Sequence, residues 1–209
     1  MGCQAIFLDK ERSDLDYESS LAELYINPQS NPQSNPQSNP QSNPQLNPQP
    51  TRCDESVRVL VYENDIPYLL LHAFIEVDED GCFLDSCFRQ VLCNDKYVAI
   101  MLGQHIHLVE VVSKEIKNFH LHDYVGHAYS IPDCSDFYLS ESFLVATYCY
   151  VFLIDVVKGI IWRSKRCGID GVVIHDISDG VIYGEGDWDP PGGWLAFRLS
   201  LKNGELMPD

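Results

Sequence analysis

The chain has 209 residues, 45% of them hydrophobic, which suffices for the core of one domain or of one domain with an appendage. Its formal net charge of -17 repels phosphates, which excludes non-specific attachment to nucleic acid or anionic membranes and leaves a basic partner open. No apolar run approaches the ~18 residues of a membrane span, so neither nucleic acid nor membrane is expected as a partner.

Eight cysteines are present without a Cys-x-x-Cys pair and without a basic-then-apolar leader, and they read as reduced thiols of a cytoplasmic protein. Cys149, between Tyr148 and Tyr150, reads as a small core residue in an apolar strand. Residues 1–26 form an N-terminal segment. Within it Ser13 and Asp16 make a weak capping box, and Leu15, Leu21, Ala22, Leu24 and Tyr25 fall mostly on one face, which predicts a short amphipathic helix over 13–26. Residues 27–50 are six tandem tetrapeptides, four of Asn-Pro-Gln-Ser, then Asn43-Pro-Gln-Leu46 and Asn47-Pro-Gln-Pro50. Proline at every fourth position removes backbone donors and steers the preceding residue away from helix, which predicts an extended, disordered linker.

From Val57 onward, short apolar or alternating runs between turn signals predict an all-β domain over 51–209. One strand signature recurs every 45 residues: His107-Leu-Val-Glu-Val-Val112, Phe152-Leu-Ile-Asp-Val-Val157 and Phe197-Arg-Leu-Ser-Leu201. A degenerate copy, Phe74-Ile-Glu-Val77, precedes them. Each of the three full copies ends in a polar turn, Ser113-Lys-Glu115, Lys158-Gly159 or Lys202-Asn-Gly204, and the interval is the size of one propeller blade.

The pattern of an apolar strand, a tight turn and then Ile160-Ile-Trp162 resembles the blades of WD-repeat and quinoprotein-like propellers over about residues 57–206. The Trp-Asp dipeptide of WD repeats stands elsewhere, at Trp188-Asp189 in a predicted loop. The resemblance implies three to four β-meander repeats in a small or incomplete propeller. A β-sandwich or open barrel of the same meanders is the alternative. Open sheet edges would permit self-association.

Two groups of residues stand out from the repeat. His105 and His107, and likewise His120 and His122, are spaced by two, so each pair shares one face of its strand. If the strands are hairpin neighbours, the four histidines form a candidate site for a divalent metal, with Glu110 or Asp123 nearby. The second group is the predicted loop Gly184–Trp194. There Glu185, Asp187 and Asp189 alternate as calcium-type oxygen ligands would, and Trp188 and Trp194 make a recognition surface. No nucleophile elbow or phosphate loop is present, and no catalytic residue is assigned.

These features predict a non-enzymatic module that binds a protein partner and needs no cofactor. A metal on the histidines would instead make it a metal-binding domain or a metal-dependent enzyme. The acidity also suits an immunity-type or nucleic-acid-mimicking inhibitor.

Overall fold

The computed structural model describes residues 3–8, 21–28, 55–78, 80–85, 88–131 and 138–208, and among them fifteen strands form four separate sheets with no helix. The first sheet contains β1 (Cys3–Leu8), β2 (Ala22–Ile26), β3 (Ser56–Glu63) and β4 (Ile66–Phe74), in the order β1-β3-β4-β2. The second follows chain order through β5 (Arg89–Cys93), β6 (Tyr97–Leu102), β7 (His105–Glu110) and β8 (Ile116–His120). The third does the same through β9 (Val125–Ser130), β10 (Ser142–Thr147), β11 (Val151–Asp155) and β12 (Gly159–Arg163). The fourth has three strands, β13 (Gly171–Ser178), β14 (Val181–Trp188) and β15 (Gly193–Ser200).

The sheets stack face to face in sequence, and the first strands β1, β5, β9 and β13 adjoin one another in turn. Side chains alternate across a strand, so a sheet covered on both faces must be apolar at every position. In β6, Val98, Ile100 and Leu102 face the first sheet while Ala99 and Met101 face the third. In β10, Phe143 and Val145 face the second sheet while Leu144 and Ala146 face the fourth. The fourth sheet alternates instead: Phe197 and Leu199 are buried against the third sheet, and Arg198 and Ser200 are not. Among the described residues, no apolar cluster joins the fourth sheet to the first. The chain is therefore an incomplete propeller, an open stack of four blade-like sheets. A sandwich packs two sheets and a barrel closes one on itself, whereas here four separate sheets stack in series.

The 45-residue recurrence marks β7, β11 and β15, the third strand of each of the last three sheets. The same interval fixes the turn that follows. Lys114, Gly159 and Gly204 all take positive φ, at 59°, 87° and 71°. Lys114 donates its backbone N–H to Glu110 and Gly204 donates to Ser200, each at 2.8 Å, and Gly159 stands opposite Asp155 in register, so one five-residue turn is repeated three times. In the first sheet the third place is taken by β4, and Phe74–Val77 falls at and beyond that strand's end.

Four expectations change. Ala22–Ile26 is a strand rather than part of a helix, paired parallel to β4 in the register Leu24 to Leu71. Pairing selects the two-residue period, which turns Leu24 and Ile26 into the core and leaves Glu23 and Tyr25 outside. Residues 13–20 of the expected helix lie outside the described residues. Because β1 and β2 belong to the same sheet as β3 and β4, the N-terminal segment is part of the β body and 51–209 is not a separate unit. Of the tetrapeptide tract, only Asn27 and Pro28 are described. Gly184–Trp194 is a hairpin, with Asp187 opposite Trp194 and Trp188 opposite Gly193, and its turn is Asp189–Gly192. The glycines that signal a loop are in the strand for lack of space: a Cβ on Gly186 would meet the carbonyl oxygen of Cys167.

Cys149 is half-buried in the turn between β10 and β11, outside the core, and its backbone N–H donates to Asp123 Oδ2 at 2.8 Å. No helix among the described residues is long and apolar enough to cross a membrane.

Candidate functional site

The histidines lie at the seam between the first and second sheets. His105 begins β7 and His120 ends β8, and the two stand directly opposite in register with their rings stacked at 4.6 Å. Both His105 and His107 point toward the first sheet, on the face of β7 opposite Ile106 and Leu108, and both are buried. Two polar groups meet them at the seam, Asn118 of β8 and Glu76 from beyond β4. Asn118 spans the seam: its Oδ1 lies 2.8 Å from His107 Nδ1, and its Nδ2 donates to the carbonyl of Asn27 at 3.0 Å. Glu76 arrives on the segment that leaves β4, where its carbonyl accepts from the Leu84 N–H at 2.8 Å. Its Oε2 stands 3.5 Å from His105 Nδ1 and 4.0 Å from His120 Nε2.

Burial dominates the electrostatics, because an imidazolium loses its hydration there. It pushes His105 down to about 3, with repulsion from His107, His120 and His122 acting the same way. Burial likewise pushes His107 down to about 4, against the opposing hydrogen bond from Asn118. His120 is lowered by partial burial and by His122, with Glu76 pulling in the other direction. The rings are thus neutral at pH 7 and keep free lone pairs.

Of the four predicted ligands, the structure brings His105 and His120 together and leaves the other two aside. His107 is engaged by Asn118. His122 lies exposed beyond the end of β8 at φ 58°, its ring 4.1 Å from that of His120. Glu110 is at the far end of β7, held by Lys96 at 3.4 Å and by the Ser113 hydroxyl, and Asp123 accepts from the backbone of Tyr124 and Cys149. Neither belongs to the cluster. The third member, Glu76, carries no ligand spacing in the sequence, because it reaches the histidines through a chain crossing.

The second candidate surface is the outward face of the fourth sheet, opposite the third. Tyr183, Glu185 and Asp187 of β14 and Trp194, Ala196 and Arg198 of β15 share it, and Trp194 reaches across to Gly171 of β13. Trp194 is 51% exposed and Tyr183 37%, while Leu195 at the hairpin end is 51% exposed on the other side. A shallow cavity of about 290 Å³ opens there between His175, Tyr183, Glu185, Ala196 and Arg198, with His175 Nε2 at 3.5 Å from Glu185 Oε2. Trp188 is half-buried at the turn. Glu185, Asp187 and Asp189 do not converge as calcium ligands would: among the described residues the group that gathers three metal-ligating atoms within 4.8 Å of one another is Glu76, His105 and His120.

No protein-family model matches the chain, and no curated protein matches it. Among solved structures, the Pan2 WD40 domain of Neurospora crassa matches with a TM-score of 0.43 and 14% identity, covering 74% of this chain and 48% of that one. The chain thus spans about half the length of that structure. The match assigns no activity or partner.

Proposed function

We propose that the chain is a protein-interaction scaffold whose outward fourth-sheet face binds a basic protein partner. The observation that carries this reading is the uncovered end of the stack. Every other sheet face in the last three sheets is buried by a neighbouring sheet, whereas this one presents Trp194, Tyr183 and Arg198, the residue types that dominate binding hot spots. Charge decides the kind of occupant. Between Cys167 and Phe197 the chain carries Asp170, Asp176, Asp179, Glu185, Asp187 and Asp189 and no lysine or arginine. A second copy of a chain with net charge -17 is repelled, and a basic surface is attracted. Open edges are a weaker route to self-association, because β15 is covered by the Leu199 to Leu206 bridge.

The test compares proteins that co-purify with the wild-type chain, with Trp194→Ala, with Glu185→Lys/Asp187→Lys, and with Ile161→Ala on exposed β12. The expected result is a partner with a basic segment that is retained by the β12 control, lost at raised salt, and reduced at least ~10-fold by both fourth-sheet variants. Equal recovery on all four chains would refute the proposed surface.

A further inference from the structure

We infer that Glu76, His105 and His120 form a divalent transition-metal site, of the zinc class, that fastens the first sheet to the second. The inference is independent of the partner-binding surface, which lies at the other end of the stack.

Three observations converge. The first is the donor geometry. A tetrahedral ion with bonds of about 2.0–2.1 Å holds its ligand atoms about 3.3 Å apart. Glu76 Oε2 is 3.5 Å from His105 Nδ1 and 4.0 Å from His120 Nε2, so the first pair is already near that spacing and a small inward shift of His120 completes it. His105 is held by its place in β7, and His120 stands at the half-exposed end of β8, which gives the ion a route from solvent.

The second is an unsatisfied atom. Glu76 Oε2 is buried and has no hydrogen-bond partner. A buried carboxylate oxygen in that state is costly, and a cation bound beside it relieves the cost. The neighbouring His105 Nδ1, at 3.5 Å, is too distant for a good hydrogen bond. A cation bound between the three donors satisfies the oxygen and uses both nitrogen lone pairs.

The third is the chemistry of the donors. Two imidazoles and one carboxylate match the three-ligand zinc pattern, with one position left for water or another oxygen. Calcium and magnesium prefer oxygen donors throughout and are not matched. Gln104 Oε1 lies 3.1 Å from His120 Nε2. In the ion-free chain this carbonyl accepts the Nε2–H; metal binding at Nε2 moves the neutral ring's proton to Nδ1, and the carbonyl is then close enough to serve as the further oxygen. The three ligands come from the segment after β4 and from β7 and β8, the last two strands of the second sheet. Binding therefore closes the seam between sheets that pack against each other but share no strand.

The test uses the full chain, freed of metal with a chelator and titrated with zinc chloride alone. Expected results are one zinc per chain, a thermal midpoint that rises with zinc concentration, and tetrahedral absorption bands on cobalt substitution. Glu76→Gln, which keeps the side chain's size, weakens zinc at least ~10-fold, and His120→Ala, half-exposed and so compatible with folding, removes the stoichiometric site. Circular dichroism confirms that both variants fold. Zinc bound below one per chain overturns the inference. So does zinc bound equally by wild type and both variants, which would place it on the acidic surface.

Discussion

Gly204 lies beneath the indole of Trp162, where a Cβ would stand 2.5 Å from the ring carbon Cε3. Gly159, one interval of the recurrence earlier, lies in the same way against Phe119, at 2.8 Å. In both places a turn closing the third strand of one sheet is pressed onto an aromatic side chain in the outer strand of the sheet before it. The repeat therefore encodes the joint between sheets as well as the strand. Trp162 adds a hydrogen bond, its Nε1–H donating to the Leu201 carbonyl at 3.2 Å. Gly204→Ala combines positive φ with a clash and is expected to lower unfolding free energy by about 2–4 kcal/mol. Lys114→Gly, at the equivalent turn, leaves stability unchanged or raises it by up to about 1 kcal/mol. Urea denaturation of the two variants measures both.

Tyr129 links the third and fourth sheets by accepting the Ile174 N–H at 3.3 Å. Tyr129→Phe leaves that buried donor unpaired and is expected to cost about 1–2 kcal/mol. Burial raises the Tyr129 phenol above its usual value near 10, outweighing the opposing hydrogen bond from Ile174. The unfolded chain therefore loses this proton first as pH rises. The group's stabilisation is complete below pH 10 and is lost as pH climbs through the folded value. The stability difference between wild type and Tyr129→Phe should thus shrink above pH 10, which urea midpoints across that range can measure.

Asn118→Ala removes the side chain that contacts both His107 and the Asn27 carbonyl. The buried imidazole then loses its partner, and the expected loss is about 2–3 kcal/mol. Amide exchange resolves where the loss falls: β2 and β8 should open more often while β10 and β11 keep wild-type protection.

Thiol reactivity should rank by burial. Cys82 is exposed, whereas Cys167 is buried, and that burial raises its thiol, so little thiolate is available at neutral pH. Timed alkylation read by peptide mass spectrometry should label Cys82 first and Cys167 only on unfolding. Early labelling of Cys167 would contradict its place between the third and fourth sheets.

Much of the fold was legible because its signals are local. Runs such as Tyr97–Leu102 and Phe143-Leu-Val-Ala146 are apolar throughout, and the turns at Gly159, Gly180 and Gly204 carry their own glycines. The strands that escaped, Cys3–Leu8, Arg89–Cys93 and Val125–Ser130, are the inner first strands of their sheets, and pairing and neighbouring sheets define them more than their composition does. Ala22–Ile26 escaped because its partner β4 is distant in sequence and the same residues also fit a helical face. The site divides similarly. The spacing of His105 and His120 within a hairpin can be read directly, while Glu76 depends on how the chain crosses the end of the second sheet, which no local pattern records.

The fourth-sheet face can be tested with a photo-crosslinking amino acid placed at position 194 and, in a second chain, at position 161 on β12, activated in cells that produce the protein. Position 194 is expected to give one dominant adduct to a protein with a basic segment, suppressed when Glu185→Lys and Asp187→Lys are introduced on the same chain. Adducts of equal yield and identity at 194 and 161, or an adduct at 194 that the charge reversals leave intact, would contradict partner binding by this face.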